Sequence, residues 1–357
     1  MQLLQRGGRL LPLDGLRALA FGAVFVQHAF GGPFTWSGVD LFFVLSGYLI
    51  TRILLGSMHQ PDYFGNFYLR RTFRIFPVYY VVLVLASLAL PAAAAMAPWC
   101  AFYLGNVHRA IYGDGLPLTP LWSLAVEEQF YLLWPLVLFR CPERWRWRLV
   151  LILLAVAPLC RVLTTAWWGR YAPQSLLPCR ADILAAGAAL AILERERGLK
   201  IFRQWRRPLL ALATFSGLAF AFVAADVAHD SDWYWAAVLE FDMLFYASVV
   251  ALVLGALQTR PVRMLALSPV AYVGQISYGL YLVHVPMLLL VGEVLHGVAS
   301  VVVAAAATLL LAVLSWHLLE RPVMRWGQQR TSSSRSVISY TESHAPVAIA
   351  GAGATQG

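Results

Sequence analysis

Ionisable side chains set within apolar stretches are the residues of this sequence most able to do chemistry. His28, Asp40, Glu127 and Arg17 fall inside or at the edge of long apolar runs, in company with Glu128, Arg161, Arg180, Asp182, Glu240, Asp242 and His284. One arginine at the centre of a membrane helix costs roughly 2.5–3.5 kcal/mol. So many such groups are expected to share a polar cavity enclosed by helices, where intramembrane charges carry function by default. Arg17 and His28 are 11 residues apart, close to three turns, so they project from one helical face about 16 Å apart. Counting the rise from each entry point brings His28 and Glu127 to a similar depth, with Arg161 and His284 near the same level. The expectation is an outer-half cluster of His, Glu and Arg, with His284 packing or lining its cavity.

Arg71 and Arg74, in the segment from Tyr68 to Pro77, share a helical face at the start of an apolar run. Guanidinium forks bind phosphates bidentately, which suits the phosphates of a coenzyme A thioester. Nothing in the spacing of His, Cys, Asp or Glu suggests a metal. The four cysteines, Cys100, Cys141, Cys160 and Cys179, lie in or beside apolar segments and are expected to pack.

The elements that hold these residues follow from composition. The 357-residue chain is 60% hydrophobic and 13% charged, too few charges to cover a water-soluble globule of this size. Lipid must be its main solvent. Apolar stretches recur at 14–30, 38–56, 77–96, 118–139, 148–168, 174–193, 208–226, 235–257, 270–290 and 297–319. They predict an all-α, polytopic integral membrane protein of about ten transmembrane helices. Taking the loops alternately, 21 Lys and Arg residues fall in one set and only Arg109 and Arg170 in the other. Basic residues accumulate on the cytoplasmic side, so both termini are expected in the cytoplasm. The net charge of +9 is thus a topology signal and gives no reason to expect a nucleic-acid partner. A transmembrane domain over 1–330 and a disordered cytoplasmic tail over 331–357, rich in Ser, Ala and Gly, complete the expected organisation.

Several segments together resemble the acyltransferase 3 family: Leu13-Asp-Gly-Leu-Arg-Ala18, the later His28, Gly38-Val-Asp-Leu-Phe-Phe-Val-Leu-Ser-Gly-Tyr48, Arg71-Thr-Phe-Arg-Ile-Phe-Pro77, Trp122-Ser-Leu-Ala-Val-Glu-Glu-Gln-Phe-Tyr131 and Ser277-Tyr-Gly-Leu-Tyr-Leu-Val-His284. The ordered match runs from residue 13 to about Pro322. The resemblance implies ten or so membrane helices and transfer of an acyl group, most often acetyl from acetyl-CoA, to hydroxyls of surface carbohydrates or related acceptors. It also implies a bacterial cytoplasmic (inner) membrane location. His28 matches the family's catalytic first-helix histidine, Arg17 its first-helix arginine, Arg71 and Arg74 its Arg-x-x-Arg motif thought to engage acyl-CoA, and Glu127 its Ser-x-x-x-Glu-x-x-Phe-Tyr glutamate. Some relatives carry an extracytoplasmic hydrolase-like domain after the last helix. None is expected here, so a transfer step that depends on one would need a separate partner.

Acyl transfer to a hydroxyl needs a base to take its proton and a cation or donors to hold the tetrahedral oxyanion. The expectation is that His28 acts as the base, oriented by Glu127 or Asp40, with an arginine on the donor or its oxyanion. In a rival version His28 carries the acyl group covalently. No bound cofactor is expected; acyl-CoA is the donor substrate and a carbohydrate or glycoconjugate the acceptor. The competing class is a transporter or flippase, since buried charges can also mark a substrate route. Related halves with broken helices would favour it, but the Arg71-Thr-Phe-Arg74 and Phe-Phe-Val-Leu-Ser-Gly-Tyr segments each occur once.

Overall fold

The computed structural model describes residues 5–6, 9–226 and 234–329; the tail expected over 331–357 lies outside them. Apart from a ribbon of two two-residue strands, Gln5–Arg6 (β1) and Arg9–Leu10 (β2), the regular structure among the described residues is helical. The longer helices are α1 (Leu11–Phe30), α2 (Gly38–Ser57), α3 (Tyr63–Ala89), α4 (Pro91–Ala101), α5 (Gly105–Tyr112), α6 (Trp122–Arg140) and α7 (Arg146–Trp168). After the short α8 (Ala172–Ser175) come α9 (Leu177–Arg197), α10 (Lys200–Gln204), α11 (Arg206–Asp226), α12 (Tyr234–Gly255), α13 (Arg260–Leu265), α14 (Ser268–Gln275), α15 (Ser277–Gly292) and α16 (Gly297–Ser315).

Seven helices are long and apolar enough to cross a membrane, or eight if the bent pair α14 and α15 is one span. With them the chain is a multi-pass membrane protein. Two helices over expected spans fall below that standard, and the reason is chemical. α1 carries Asp14, Arg17, Gln27 and His28, and α6 carries Glu127, Glu128 and Gln129. Both hold candidate site residues, Arg17 and His28 on α1 and Glu127 on α6.

Two expected spans differ in shape. The stretch expected over 77–96 is divided between α3, which begins at Tyr63 and ends at Ala89, and α4, which Pro91 opens because it cannot donate an N–H to continue α3. Arg71 and Arg74 are therefore inside a helix, one turn apart. The stretch expected over 270–290 is broken at Ile276, where α14 and α15 meet at 70°. Ile276 is fully buried, so the irregular backbone is covered by protein, as a break at membrane depth requires.

α2 is the central helix. Of its apolar window, 78% is buried, against 22% for α7 and α16, whose Leu151 and Val302 are exposed and suited to face lipid. Its tightest neighbour is α9, because a Cβ on Gly47 would collide with the Leu184 carbonyl and one on Gly187 with the Val44 carbonyl. Small residues let two backbones approach this closely where no hydrophobic effect drives helices together. On the other flank of α1, the same device at Gly274 seats α14 against the Asp14 backbone. These contacts set α1, α2, α9 and α15 around a common interior.

Candidate active site

α1 and α15 lie side by side, and each bears two polar residues that meet the other. Arg17 Nε donates to Ser277 Oγ at 3.3 Å. Further along the same pair of helices, His28 Nδ1 lies 3.2 Å from His284 Nε2, with the two rings edge to face at a centroid distance of 5.0 Å. His28 Nδ1 is also 2.9 Å from the Val24 carbonyl, and His284 Nδ1 is 2.6 Å from the Tyr281 carbonyl. His284 is fully buried, whereas His28 is exposed to an open cavity.

That cavity encloses about 690 Å³. Its polar lining comprises His28, Gln27, Asp40, Arg180, Arg109, Asp114 and Gln174, and Trp36, Trp122, Trp235 and Tyr281 supply aromatic faces. Arg109 braces one wall: it holds Asp114 through Nε at 2.6 Å and Nη2 at 3.0 Å, donates to Ser175 at 2.8 Å and Gln174 at 3.0 Å, and covers the Trp122 ring. On the opposite wall, Arg180 pairs with Asp40, both nearly inaccessible to solvent. The buried Nε1 of Trp235 has no hydrogen-bond partner among the described residues.

A much narrower chamber sits behind, lined by Arg17, Glu127, Ser123, Ser277, Phe42, Phe43 and Tyr278. Val39 and Tyr281 border both spaces. The Tyr281 hydroxyl is pinned between Ser123 Oγ at 2.6 Å and the Pro120 carbonyl at 2.9 Å, so its ring forms a partition. Glu127 accepts a hydrogen bond from Ser46. One turn along α6, Tyr131 lies under the Arg71 guanidinium, whose carbon is 3.5 Å from the ring centroid; Arg71 Nε is buried without a hydrogen-bond partner. Arg74 is close enough to Glu320 for its charge to act on that carboxyl.

The candidate residues thus fall into three neighbouring groups. His28 and Asp40 share the large cavity, Arg17 and Glu127 share the narrow chamber, and Arg71 sits over Tyr131, with Arg74 one helical turn along α3. This corrects the expected orienting contact. Glu127 is engaged by Ser46 and Asp40 by Arg180, and the ring that touches His28 is His284. Arg161 also leaves the expected outer cluster. It is held by Asp182 at 2.8 Å, by Glu240, and by the Cys179 carbonyl at 2.7 Å. A guanidinium this buried is tolerated only when carboxylates and carbonyls satisfy it. Among the described residues no cluster of His, Cys, Asp and Glu could hold a metal ion.

An exposed imidazole in a cavity lined by tryptophan rings, two arginines and amide groups is suited to act on a polyhydroxylated molecule. The acyltransferase domain family, acyltransferase 3, matches residues 11–318. The chain belongs to it. Among curated relatives, the peptidoglycan O-acetyltransferase OatA of Listeria monocytogenes is 32% identical over 88% of this chain and 56% of its own length. The putative peptidoglycan O-acetyltransferase YrhL of Bacillus subtilis is 33% identical over 89% of this chain and 56% of its own. The O-acetyltransferase OatA of Staphylococcus aureus is 28% identical over 89% and 58%. The chain therefore spans somewhat over half the length of these relatives. No solved structure matches it.

Sequence reasoning left Tyr281 and Arg180 out of the site, and gave His284 a packing or cavity-lining place without its contact to His28. Arg180 carried a signal, being a cation within an apolar run, but its partner on α2 could not be read. Arg109 also had one, as one of only two basic residues in its set of loops.

Proposed function

We propose that this chain is an O-acetyltransferase of the bacterial cytoplasmic membrane, moving an acyl group, acetyl above all, from acyl-CoA to a hydroxyl of a carbohydrate or glycoconjugate. The observation that carries the reading is His28: an exposed imidazole in a large cavity whose other polar groups are already paired or suited to sugar hydroxyls. Family membership and the names of the relatives support the same chemistry, and those names point to peptidoglycan as the acceptor class to try first.

The mechanism follows from what each group can do. The cavity admits the acceptor, whose apolar sugar faces stack on Trp36 and Trp235 and whose hydroxyls bond Gln27, Gln174 and the Trp235 indole N–H. His28 removes the proton of the attacking hydroxyl. Arg180, held in place by Asp40, faces the developing oxyanion. Arg71 and Arg74 bind phosphates of the coenzyme on the cytoplasmic side, and Arg17 with Glu127 lines the narrow chamber through which the acyl end reaches His28. This assignment gives Asp40 and Glu127 positioning roles exercised through Arg180 and Arg17. Eight apolar spans plus α1 and α6 make ten, which returns both termini to the cytoplasm, in keeping with the loop charges. We extend the transmembrane acyltransferase domain over 1–330.

The test is transfer itself. The purified chain in lipid nanodiscs receives acetyl-CoA labelled in the acetyl group, with peptidoglycan fragments as acceptor. Coenzyme A release matched by label on the glycan supports the reading; a chain that neither consumes the donor nor labels any glycan, yet moves intact glycan across the bilayer, would replace it with a transporter.

A further inference from the structure

We propose that His284 is a positioning residue for His28: it fixes which nitrogen of His28 faces the substrate and shares the charge that His28 acquires. The inference rests on the acyltransferase reading for its kinetic consequences, but its structural half stands on hydrogen-bond logic alone.

A carbonyl oxygen can only accept. His284 Nδ1, 2.6 Å from the Tyr281 carbonyl, therefore carries the proton of that ring, and its Nε2 holds a lone pair. That lone pair faces His28 Nδ1 at 3.2 Å, which also lies 2.9 Å from the Val24 carbonyl. Both neighbours of His28 Nδ1 are acceptors, so Nδ1 is the protonated nitrogen. His28 Nε2 is left with its lone pair, on the ring that lines the cavity. The chain of bonds runs from a backbone carbonyl through two imidazoles to the free base, with every proton assigned.

In the reaction, the acceptor hydroxyl gives its proton to His28 Nε2 while its oxygen forms the new bond to the thioester carbonyl carbon. The C–S bond then breaks, the electron pair goes to sulfur, and the Nε2 proton passes to the thiolate, so the base is regenerated. Between these steps His28 is an imidazolium, and its Nδ1–H becomes a charged donor to His284 Nε2. Hydrogen bonds to charged partners are roughly twice as strong as neutral ones. His284 thus does for His28 what a carboxylate does in a hydrolase triad, without leaving a resident negative charge in a setting where such a charge is costly. Its position is enforced by packing: it is fully buried, with Phe21 edge-on at 5.8 Å and Tyr281 at 5.3 Å. Tyr281 links the two features, since its carbonyl orients His284 while its phenol divides the cavity from the chamber.

The experiment compares His284→Phe, which keeps a flat ring without nitrogen, with His284→Gln, whose amide oxygen can accept from His28 Nδ1. Both are assayed for transfer in nanodiscs, and the His28 tautomer is read from ¹⁵N-histidine NMR of the same samples. We expect His284→Phe to lower kcat by about tenfold to a hundredfold with KM for both substrates within about twofold, and His284→Gln to recover a large part of the loss. We expect NMR to show an unprotonated Nε2 on His28 in the wild type and a larger share of the Nε2-protonated tautomer in His284→Phe, where the Val24 carbonyl alone accepts from Nδ1. Wild-type kcat in His284→Phe, equal losses in both variants, or a wild-type His28 protonated at Nε2 would each overturn the proposal. If the wild type transfers nothing, the acyltransferase reading fails while the tautomer measurement still decides the structural half.

Discussion

Arg180 and Asp40 differ in what each leaves behind when removed, and that asymmetry can be measured. Arg180 is 3% exposed and pairs with Asp40, itself 1% exposed. Arg180 is also the cation that acts on Asp242, a fully buried carboxyl with neither oxygen hydrogen-bonded among the described residues. Replacing Arg180 by leucine strands two carboxyls at once. Replacing Asp40 by asparagine keeps the shape and leaves the guanidinium facing Asp182 and Asp242. Breaking a buried pair from the side that leaves an uncompensated charge costs about 3–5 kcal/mol. Loss of one partner with compensation remaining should cost about 1–2 kcal/mol, in the range of an ordinary buried hydrogen bond. At about 2.1 cal/mol/K of unfolding entropy per residue, the first corresponds to a fall in melting midpoint of roughly 4–7 °C and the second to roughly 1–3 °C. With the partly exposed Cys141 and Cys160 replaced by serine in every variant, a thiol-reactive fluorophore gives the assay, because Cys100 and Cys179 are fully buried and react only on unfolding. An Asp40→Asn variant that melts as early as Arg180→Leu would refute the charge accounting.

Other consequences are equally specific. Gly47→Leu should separate α2 from α9 and lower both the melting midpoint and activity, since its Cβ meets the Leu184 backbone rather than a movable side chain; wild-type behaviour would show that the two helices do not pack this closely. Arg71→Ala should raise KM for acyl-CoA by about tenfold or more, the value of a charge-assisted phosphate contact, and Arg71→Lys should recover only part of it because the stacking on Tyr131 needs a planar cation. Unchanged donor KM in Arg71→Ala would remove it from the donor site. Trp235→Phe, which keeps the aromatic face and loses the unpartnered N–H, should raise acceptor KM by about threefold to tenfold and leave donor KM alone; an effect on donor KM instead would move the acceptor elsewhere.

How far the sequence could be read depended on the range of the interaction. Apolar stretches and the loop charges are local, and they gave the helical, membrane-embedded character and the positions of most long helices. The break at Ile276 was hidden because the apolar run continues across it, and a hydropathy pattern carries no information on a bend whose polar groups are satisfied by neighbours. Pairing was the least legible feature. The Arg17 to His28 stripe could be read from helical period alone, yet its partner surface on α15 lies some 260 residues away. Asp40 could be recognised as a costly charge, but Arg180 sits opposite it because Gly47 and Gly187 let two helices touch. Depth counting set His28, Glu127, Arg161 and His284 near one level and could not say which way each side chain turns. It grouped four residues of which the fold joins two.

The measurement that bears most directly on the account is acetyl transfer by His28→Ala beside the wild type, in nanodiscs with labelled acetyl-CoA and peptidoglycan fragments, alongside a direct determination of donor binding. The account predicts that the variant binds the donor as the wild type does, because Arg71 and Arg74 are untouched, and that it forms at least about a hundredfold less labelled glycan, the minimum contribution of a positioned general base. Transfer at the wild-type rate by His28→Ala would contradict it.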